Sequence, residues 1–205
     1  AGNRSRSEAA GLRFSEGGVA LLLNCTIVDN HASLSAGGVW APAADDEPVS
    51  TWVYIRNSVI ADNTGAGEGS DLVGRFTSDD YNLIGHYSDA LIEGAVDETL
   101  FGLDPFLRPL RERQGAWTMP PDRDSPVIDS GICTDSDGEP VVEDGRGLER
   151  PRGPQCDIGA AEFNEYQRLV SVDDEPPGAN CEFGGAALRT GDDEDFDGEL
   201  DIEEV

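Results

Sequence analysis

The chain has 205 residues with 38% hydrophobic content, which is enough for one sizeable domain and a small appendage. Its 42 acidic and 14 basic residues give a net charge of -28, which excludes nucleic acid and anionic membrane surfaces as partners. The longest apolar run, residues 19–23, is far shorter than the roughly 20 residues that cross a bilayer, so no membrane span is predicted.

Residues 1–12 are too polar for a signal peptide, so we expect the chain to begin inside a longer protein. All 14 basic residues are Arg, and the absence of Lys removes the usual residue for Schiff-base or P-loop chemistry. The acidity suits a salty habitat or multivalent cations, and both favour an extracellular location. Two His residues and no C-x-x-C pair leave almost no ligands for zinc or iron, so a metal would be bound by oxygen.

A seven-residue pattern occurs twice, 33 residues apart, at residues 24–30 and 57–63. Each copy follows a strand-like run, and a looser third copy places Asn82 one repeat after Asn57. These features predict an all-β fold over residues 1–103, a parallel β-helix whose coils bury their inner faces. The Asn of each copy would adopt a turn conformation and hydrogen-bond to its equivalent in the next coil. The alternative is an antiparallel sandwich with Asn-containing turns.

Residues 104–165 are rich in Pro, Gly, Arg and Asp, and they predict an irregular segment that closes the open end of the coils. Ile158 and Phe163 would be its buried anchors. Cys133 and Cys156 bracket part of this segment, which a disulfide between them would restrain. Cys25 lies in an apolar strand and is predicted to be a small buried hydrophobe. Residues 166–180 are predicted to form an acidic linker.

Residues 181–205 predict a calcium-binding loop module. A calcium ion binds about six to eight oxygens, and a 12-residue loop supplies them from positions 1, 3, 5, 7, 9 and 12, with Gly at position 6. Gly198 is at that position, and Leu200 and Ile202 would turn inward to anchor the loop. Five of the predicted ligands are acidic side chains, and the sixth is the main-chain carbonyl of Glu199. The full set is Asp193, Asp195, Asp197, Glu199, Asp201 and Glu204.

A complete EF-hand is not predicted, because residues 184–190 are too short and Gly-rich for an entering helix. The alternative for this acidic tail is disorder. A second acidic cluster, formed by Asp135, Asp137 and Glu139, begins the same spacing but lacks the later ligands, so we predict a turn there.

Several motifs occur in a fixed order, and they are Asn24-Cys-Thr-Ile27, Gly37-Gly38, Tyr81-Asn-Leu-Ile84, Asp104-Pro105, Ser125-Pro-Val-Ile-Asp-Ser-Gly131, Asp144-Gly-Arg-Gly147, Arg150-Pro151 and Cys156-Asp-Ile-Gly-Ala-Ala-Glu-Phe163. Together they resemble the choice-of-anchor Q type of right-handed single-stranded parallel β-helix surface protein, which is similar to polymorphic outer-membrane protein repeats. The resemblance implies a bacterial secreted or cell-surface location and no established enzymatic activity. From Cys181 the tail resembles a Cys-x-x-Gly-Gly repeat with an EF-type loop, in which another Cys follows the loop.

The alternative function is that of a polysaccharide-binding or polysaccharide-cleaving protein, since parallel β-helices also carry lyases and hydrolases. Such enzymes need paired carboxylates or a cationic cluster, whereas Arg56 and Arg75 are isolated. Asp29 and Asp62 belong to the repeat, which favours a role in the turns. His31 would need a carboxylate to orient it as a base.

Three aromatic residues, Trp40, Trp52 and Tyr54, would form either a sugar-stacking patch or ordinary strand packing. We therefore predict an extracellular or cell-surface structural and adhesion-type module without catalysis, stabilised by Ca2+, with surface glycans or other surface proteins as partners.

Overall fold

The computed structural model describes residues 1–7, 9–14, 17–41, 51–66, 70–113, 115–164, 167–178 and 181–193. These residues are all-β, with no helix among them. The chain divides into two units, residues 1–163 and residues 164–205. In chain order the strands are β1 (Arg4–Ser5), β2 (Leu12–Arg13), β3 (Gly18–Leu23), β4 (Thr26–Val28), β5 (His31–Ala32), β6 (Val39–Ala41), β7 (Thr51–Arg56), β8 (Val59–Ala61), β9 (Leu72–Asp79), β10 (Leu83–Ile84), β11 (Asp89–Ala95), β12 (Leu100–Phe101), β13 (Arg111–Arg113), β14 (Ala116–Thr118), β15 (Gln167–Glu175) and β16 (Gly185–Asp193).

Two parallel sheets dominate the first unit. The six-stranded sheet has the order β2-β6-β9-β7-β3, with β11 also paired to β9, and the four-stranded sheet has the order β12-β10-β8-β4. Strand β9 pairs with β6 through its first residues and with β7 through its later ones. The predicted all-β class with parallel strands is therefore confirmed, and an antiparallel sandwich does not describe these two sheets.

The register of the sheets explains the internal repeat. Thr26 pairs with Val59, so β4 and β8 are 33 residues apart, as the sequence pattern predicts. Val59 then pairs with Leu83, and Leu83 pairs with Leu100, so the spacing falls to 24 and then 17 residues. The repeat is regular in space while its connections shorten along the chain.

The predicted position of Asn82 is wrong by one residue, because one residue separates Asn82 from Ile84 whereas two separate Asn57 from Ile60. Because Leu83 pairs with Val59, Asn82 lies opposite Ser58, and its Oδ1 accepts the N–H of Ser58 at 3.0 Å. Tyr81 therefore stands in the place equivalent to Asn57. Tyr81 has a φ of 55°, close to the 47° of Asn57, so the turn conformation is retained without the Asn side chain.

The four-stranded sheet is buried on both faces. Ile60 of β8 lies in the core between the two sheets, with Ile55 and Phe76 of the six-stranded sheet. Its neighbours Val59 and Ala61 point to the other face and form a second apolar cluster. A parallel sheet with both faces apolar must be covered on both sides.

Residues 104–163 provide that second cover. Ile158 and Val127 are buried against Val59 and Leu83 of the four-stranded sheet. The segment covers a sheet face, because the outward residues of that face are apolar. The predicted closure of the coil end stays a prediction. Ile158 is a buried anchor as predicted, whereas Phe163 is only half-buried.

Polar contacts fix the same segment to the repeats. The Asn57 amide donates to the Asp157 carbonyl at 3.0 Å, and the Ala160 N–H donates to Thr26 Oγ1 at 2.9 Å. Arg56 donates through Nε to the Thr134 carbonyl at 3.1 Å. Arg56, predicted to be a solvated face residue, is half-buried because it holds this segment in place.

The cysteines follow the sequence prediction in part. Cys133 and Cys156 form a disulfide with Cα atoms 5.4 Å apart, which confirms the predicted pair. Cys25 is a free, half-buried thiol. Cys181 is also free, and its thiol donates to the Gly184 carbonyl at 2.8 Å. Within the described residues no helix is long and apolar enough to span a membrane.

In the second unit, β15 and β16 pair along nine residues as an antiparallel hairpin. Strand β15 thus lies in residues 166–180, which the composition predicts to be a linker. The apolar side chains of Val170, Val172 and Leu188 share one face and stay exposed. On the opposite face, Arg189 and Asp173 form an ion pair at 3.3 Å.

Candidate functional site

The predicted calcium loop lies almost wholly outside the described residues. Asp193, its first ligand, is the last residue of β16 and pairs with Gln167 of β15. The remaining predicted ligands, Asp195, Asp197, Glu199, Asp201 and Glu204, are outside the described residues. In the part of the chain that the structure describes, no group of three or more His, Cys, Asp and Glu side chains is arranged to hold a metal ion.

The second acidic cluster forms a turn, as predicted. Asp135 Oδ1 accepts the N–H groups of Asp137 and Glu139, each at 2.9 Å. The Asp135 N–H donates to the Glu139 carbonyl at 2.9 Å and closes the turn. The carboxylate of Asp135 is therefore used to satisfy main-chain donors.

The polar residues of the repeat stand where the backbone is left-handed. Asn24 and Asn57 have φ values of 50° and 47°, and both Asp29 and Asp62 have φ of 57°. Asn and Asp tolerate this region better than β-branched residues do. The predicted turn role is confirmed at all four positions, and the predicted Asn–Asn contact is also present, since Asn57 Nδ2 donates to Asn24 Oδ1 at 2.6 Å.

A longer ladder runs through the last residue of each repeat, which the sequence interpretation did not single out. Asn3 Nδ2 donates to Asn30 Oδ1 at 2.9 Å, and Asn30 Nδ2 donates to Asn63 Oδ1 at 2.8 Å. Asn63 Nδ2 then donates to Asp71 Oδ1 at 2.8 Å. The buried carboxylate of Asp71 ends the ladder. The signal for it was visible, since the seven-residue pattern has Asn at both ends.

A cleft of about 240 Å³ opens beside the end of this ladder, and Asp62, Asp71, His86 and Asp104 are among its lining residues. Burial raises the pKa of Asp71, although the N–H of His86 donates to its Oδ2 at 2.6 Å. Partial burial and the carboxylates of Asp104, Asp71 and Asp29 raise the pKa of Asp62. The cleft therefore holds carboxyl groups that ionise less readily than usual.

His31 lies elsewhere on the repeats. Its Nδ1 is 2.7 Å from Thr64 Oγ1, the equivalent position in the next repeat. Among the described residues, the His31 ring thus contacts the paired residue of the next repeat.

A buried ionic network lies inside residues 104–163. Arg146 pairs with Asp144 at 2.6 Å, and Arg150 Nε lies 3.3 Å from Glu162 Oε1. Although burial opposes ionisation, Arg146 lowers the pKa of Asp144. All four side chains are almost fully buried. These four residues belong to the motifs at residues 144–147, 150–151 and 156–163.

Asp157 belongs to the same region and is 2% exposed. Its Oδ1 accepts the Asp129 N–H at 2.8 Å, and its Oδ2 accepts the Phe163 N–H. Burial raises the pKa of Asp157 to about 6, with a smaller contribution from Glu162. This carboxyl group therefore changes its charge in a mildly acidic range.

The outer face of the six-stranded sheet carries three aromatic residues in one line, here called the aromatic line: Trp40, Trp52 and Tyr54. Trp40 pairs with Val73 of β9 and Tyr54 with Thr77, so these two rings are four β9 residues apart, about 13 Å. Trp52 precedes Tyr54 by two residues on the same strand and lies between them.

These rings point away from the core because they alternate with buried residues. Val39, Val53 and Ile55 are buried within the core cluster, which leaves their neighbours on the outer face. Trp52 is 46% exposed. The Arg13 guanidinium carbon lies 5.0 Å from the centre of the Trp40 ring. The three aromatic residues were predicted to form either a sugar-stacking patch or ordinary strand packing. The strand pairing shows in addition that Trp40 and Trp52 lie along the same side of β9.

A family model described as a domain of unknown function, DUF7151, matches residues 168–205. The matched region includes most of the β15–β16 hairpin and all of the predicted calcium loop. No curated protein and no solved structure matches the chain.

Proposed function

We propose that this chain is an extracellular or cell-surface structural and adhesion-type module, built on a right-handed parallel β-helix of the choice-of-anchor Q type and without catalysis. The parallel pairing of successive repeats and the buried Asn ladder support a stiff stacked scaffold. The disulfide supports an oxidising compartment outside the cytoplasm.

The observation that carries the adhesion role is the contrast between the two sheets. The outer face of the four-stranded sheet is covered by residues 104–163. The outer face of the six-stranded sheet instead exposes large apolar side chains among the described residues, including Val19 at 75% and Leu21 at 44%. An exposed apolar patch with a polar rim is typical of an interaction surface.

Adhesion is tested with beads that carry the chain and are mixed with cells of the organism that produces it. The native chain should hold cells to the beads, and the double variant Val19→Glu, Leu21→Glu should not. Val142→Glu is the matched control, because Val142 is 60% exposed on residues 104–163. Beads of the native chain that hold no cells, or equal loss in the control, would contradict the adhesion role.

The proposed function includes stabilisation by Ca2+ through residues 193–204. The donor set fits this ion: each of the six ligand positions has an oxygen donor, and Gly198 stands at the turn. Pairing of Asp193 with Gln167 supports a loop that continues directly from an ordered strand. When bound, the ion would offset part of the negative charge of this segment.

Calcium binding is tested by calorimetric titration and by the melting temperature with and without added Ca2+. The native chain should bind Ca2+ and melt at a higher temperature with it, whereas Asp197→Ala should abolish both effects. Glu194→Ala is the control, because position 2 of the loop is not a ligand position. Absence of a Ca2+ effect in the native chain would refute this part of the proposal.

Polysaccharide cleavage is the alternative function, favoured by one observation. Glycoside hydrolysis needs a carboxyl group that stays protonated near neutral pH, and the pKa of Asp62 is raised beside Asp104. Release of reducing ends from acidic or neutral polysaccharides by the native chain, lost in Asp62→Asn, would favour the enzyme over the adhesion module.

A further inference from the structure

We propose that the aromatic line binds an uncharged polysaccharide chain, with sugar rings stacked on Trp40, Trp52 and Tyr54. This inference rests on the proposed adhesion function and names the chemical class of its partner. A sugar ring has apolar C–H faces and hydroxyl edges. It is therefore suited to a surface that offers aromatic rings with polar groups beside them.

The shape of the surface fits an extended chain. The three rings follow the direction of β9 over about 13 Å, a length that a short run of sugar units covers. Their backbone is a paired parallel sheet packed on a buried core, so the rings hold their spacing before a ligand arrives. A preorganised site avoids the cost of ordering side chains and loops on binding.

The two sides of the aromatic line differ. On the β3 side, Val19 pairs with Trp52 and Leu21 pairs with Tyr54, which widens the apolar surface. On the β9 side, Thr77 pairs with Tyr54, and Glu93 of β11 pairs with Thr77. A sugar stacked on the rings would therefore meet apolar groups at one edge and hydroxyl and carboxylate groups at the other.

Charge selects an uncharged partner. On the outer face of the six-stranded sheet, the described strands carry equal numbers of basic and acidic residues. They are three Arg and three acidic residues: Arg13, Arg56, Arg75, Asp79, Asp89 and Glu93. Among the described residues of these strands the outward charges thus cancel, whereas the whole chain has a net charge of -28. A polyanionic polysaccharide or a second copy of the chain would be repelled by the surrounding field, but a neutral polysaccharide would not.

The test uses two soluble neutral probes, cellohexaose and maltohexaose, with polygalacturonate as the acidic probe. Binding is followed by tryptophan fluorescence and by calorimetry. The native chain should bind at least one neutral probe, and added salt should not weaken it. Trp52→Ala and Tyr54→Ala should each weaken that binding by about tenfold, which corresponds to about 1.4 kcal/mol of binding free energy for each lost ring contact.

Trp117 provides the matched control, because it is 65% exposed on β14, away from the six-stranded sheet. Trp117→Ala should bind as the native chain does, and Trp52→Phe should recover part of the affinity. Circular dichroism and the melting temperature check that the variants are folded. If Trp52→Ala is unstable, Trp52→Phe still tests the site, because it keeps an aromatic ring at this position.

Three results would overturn the inference: no binding of either neutral probe, equal losses in Trp52→Ala and Trp117→Ala, or binding of polygalacturonate alone. The outcome is separable from that of the bead experiment. If beads hold cells but neutral probes neither bind nor compete, the adhesion role stands and the glycan assignment falls. If the probes bind but no cells are held, the glycan site stands and the adhesion role falls.

Discussion

Asn30 and Asn63 form the central rung of the buried ladder. Asn63 Oδ1 accepts both the side-chain amide of Asn30 at 2.8 Å and its main-chain N–H at 3.0 Å. The two residues are 1% and 3% exposed. Because buried polar groups are costly when unpaired, this rung fixes the register between neighbouring repeats.

Replacing the rung should therefore cost much stability. Asn63→Ala removes the partner of the Asn30 amide and of the Ile27 and Ala61 carbonyls. We expect the free energy of unfolding to fall by about 3 kcal/mol, measured by urea denaturation. Asn3→Ala removes an exposed end of the same ladder and should cost less than about 1 kcal/mol. Similar losses in the two variants would contradict the importance of burial here.

A second prediction concerns backbone conformation at Asp29. This residue is exposed and has φ of 57°. Asp29→Val should lower the free energy of unfolding by about 1–2 kcal/mol, because a β-branched residue is strained in the left-handed region. Asp29→Gly adopts this φ without strain and should fold about as stably as the native chain. If urea denaturation gave equal losses for both, the strain explanation would be wrong.

The all-β class and the 33-residue repeat were predictable because apolar runs and Asn-containing turns recur at the level of local sequence. Position by position, the left-handed turns at Asn24 and Asn57 follow from residue type alone. The third repeat was misplaced by one residue because Asn82 precedes Ile84 by two residues whereas Asn57 precedes Ile60 by three, and only the strand pairing shows which of these residues correspond.

The location of residues 104–163 was less accessible to sequence reasoning. Their composition predicts irregular backbone, but which apolar surface they cover depends on contacts such as Ile158 with Val59, far apart in the chain. A clue existed in β8, where Val59, Ile60 and Ala61 are consecutive apolar residues. Such a run indicates a strand buried on both faces, hence a cover outside the core.

Of the two candidate sites, one is visible in the local sequence and the other depends on strand pairing. The ligand pattern of residues 193–204 is local and could be predicted, and it remains a prediction because most of it lies outside the described residues. The aromatic line depends on β6 and β7 pairing with successive parts of β9. No local pattern shows that Trp40 and Trp52 lie on one line.

Disrupting the buried ionic network should destabilise residues 104–163. Arg150→Ala leaves the carboxylate of Glu162 buried without its cation, and we expect a loss of about 3–5 kcal/mol in urea denaturation. Arg152→Ala is the control, because this residue is exposed and only its main-chain N–H contacts Glu162. Comparable stability of the two variants would mean that the ion pair contributes little.

Stability should also depend on pH through Asp157. Its pKa rises to about 6 in the folded state from an ordinary value of 3.8, so the folded state binds this proton more tightly than the unfolded state does. The contribution of Asp157 therefore favours folding most below the ordinary value and is lost as pH rises through about 6. Above that pH the group is charged in both states and its cost is constant.

Urea denaturation of the native chain and of Asp157→Asn between about pH 4 and pH 7 isolates this effect. The comparison with Asp157→Asn removes contributions that both proteins share, such as that of Asp144 with its lowered pKa. We expect the native chain to lose stability relative to Asp157→Asn as pH rises from the ordinary pKa of 3.8, and the loss should level off above the folded-state pKa of about 6. A difference that does not vary with pH would show that Asp157 titrates normally, and one of opposite sign would show that its hydrogen bonds from Asp129 and Phe163 outweigh its burial.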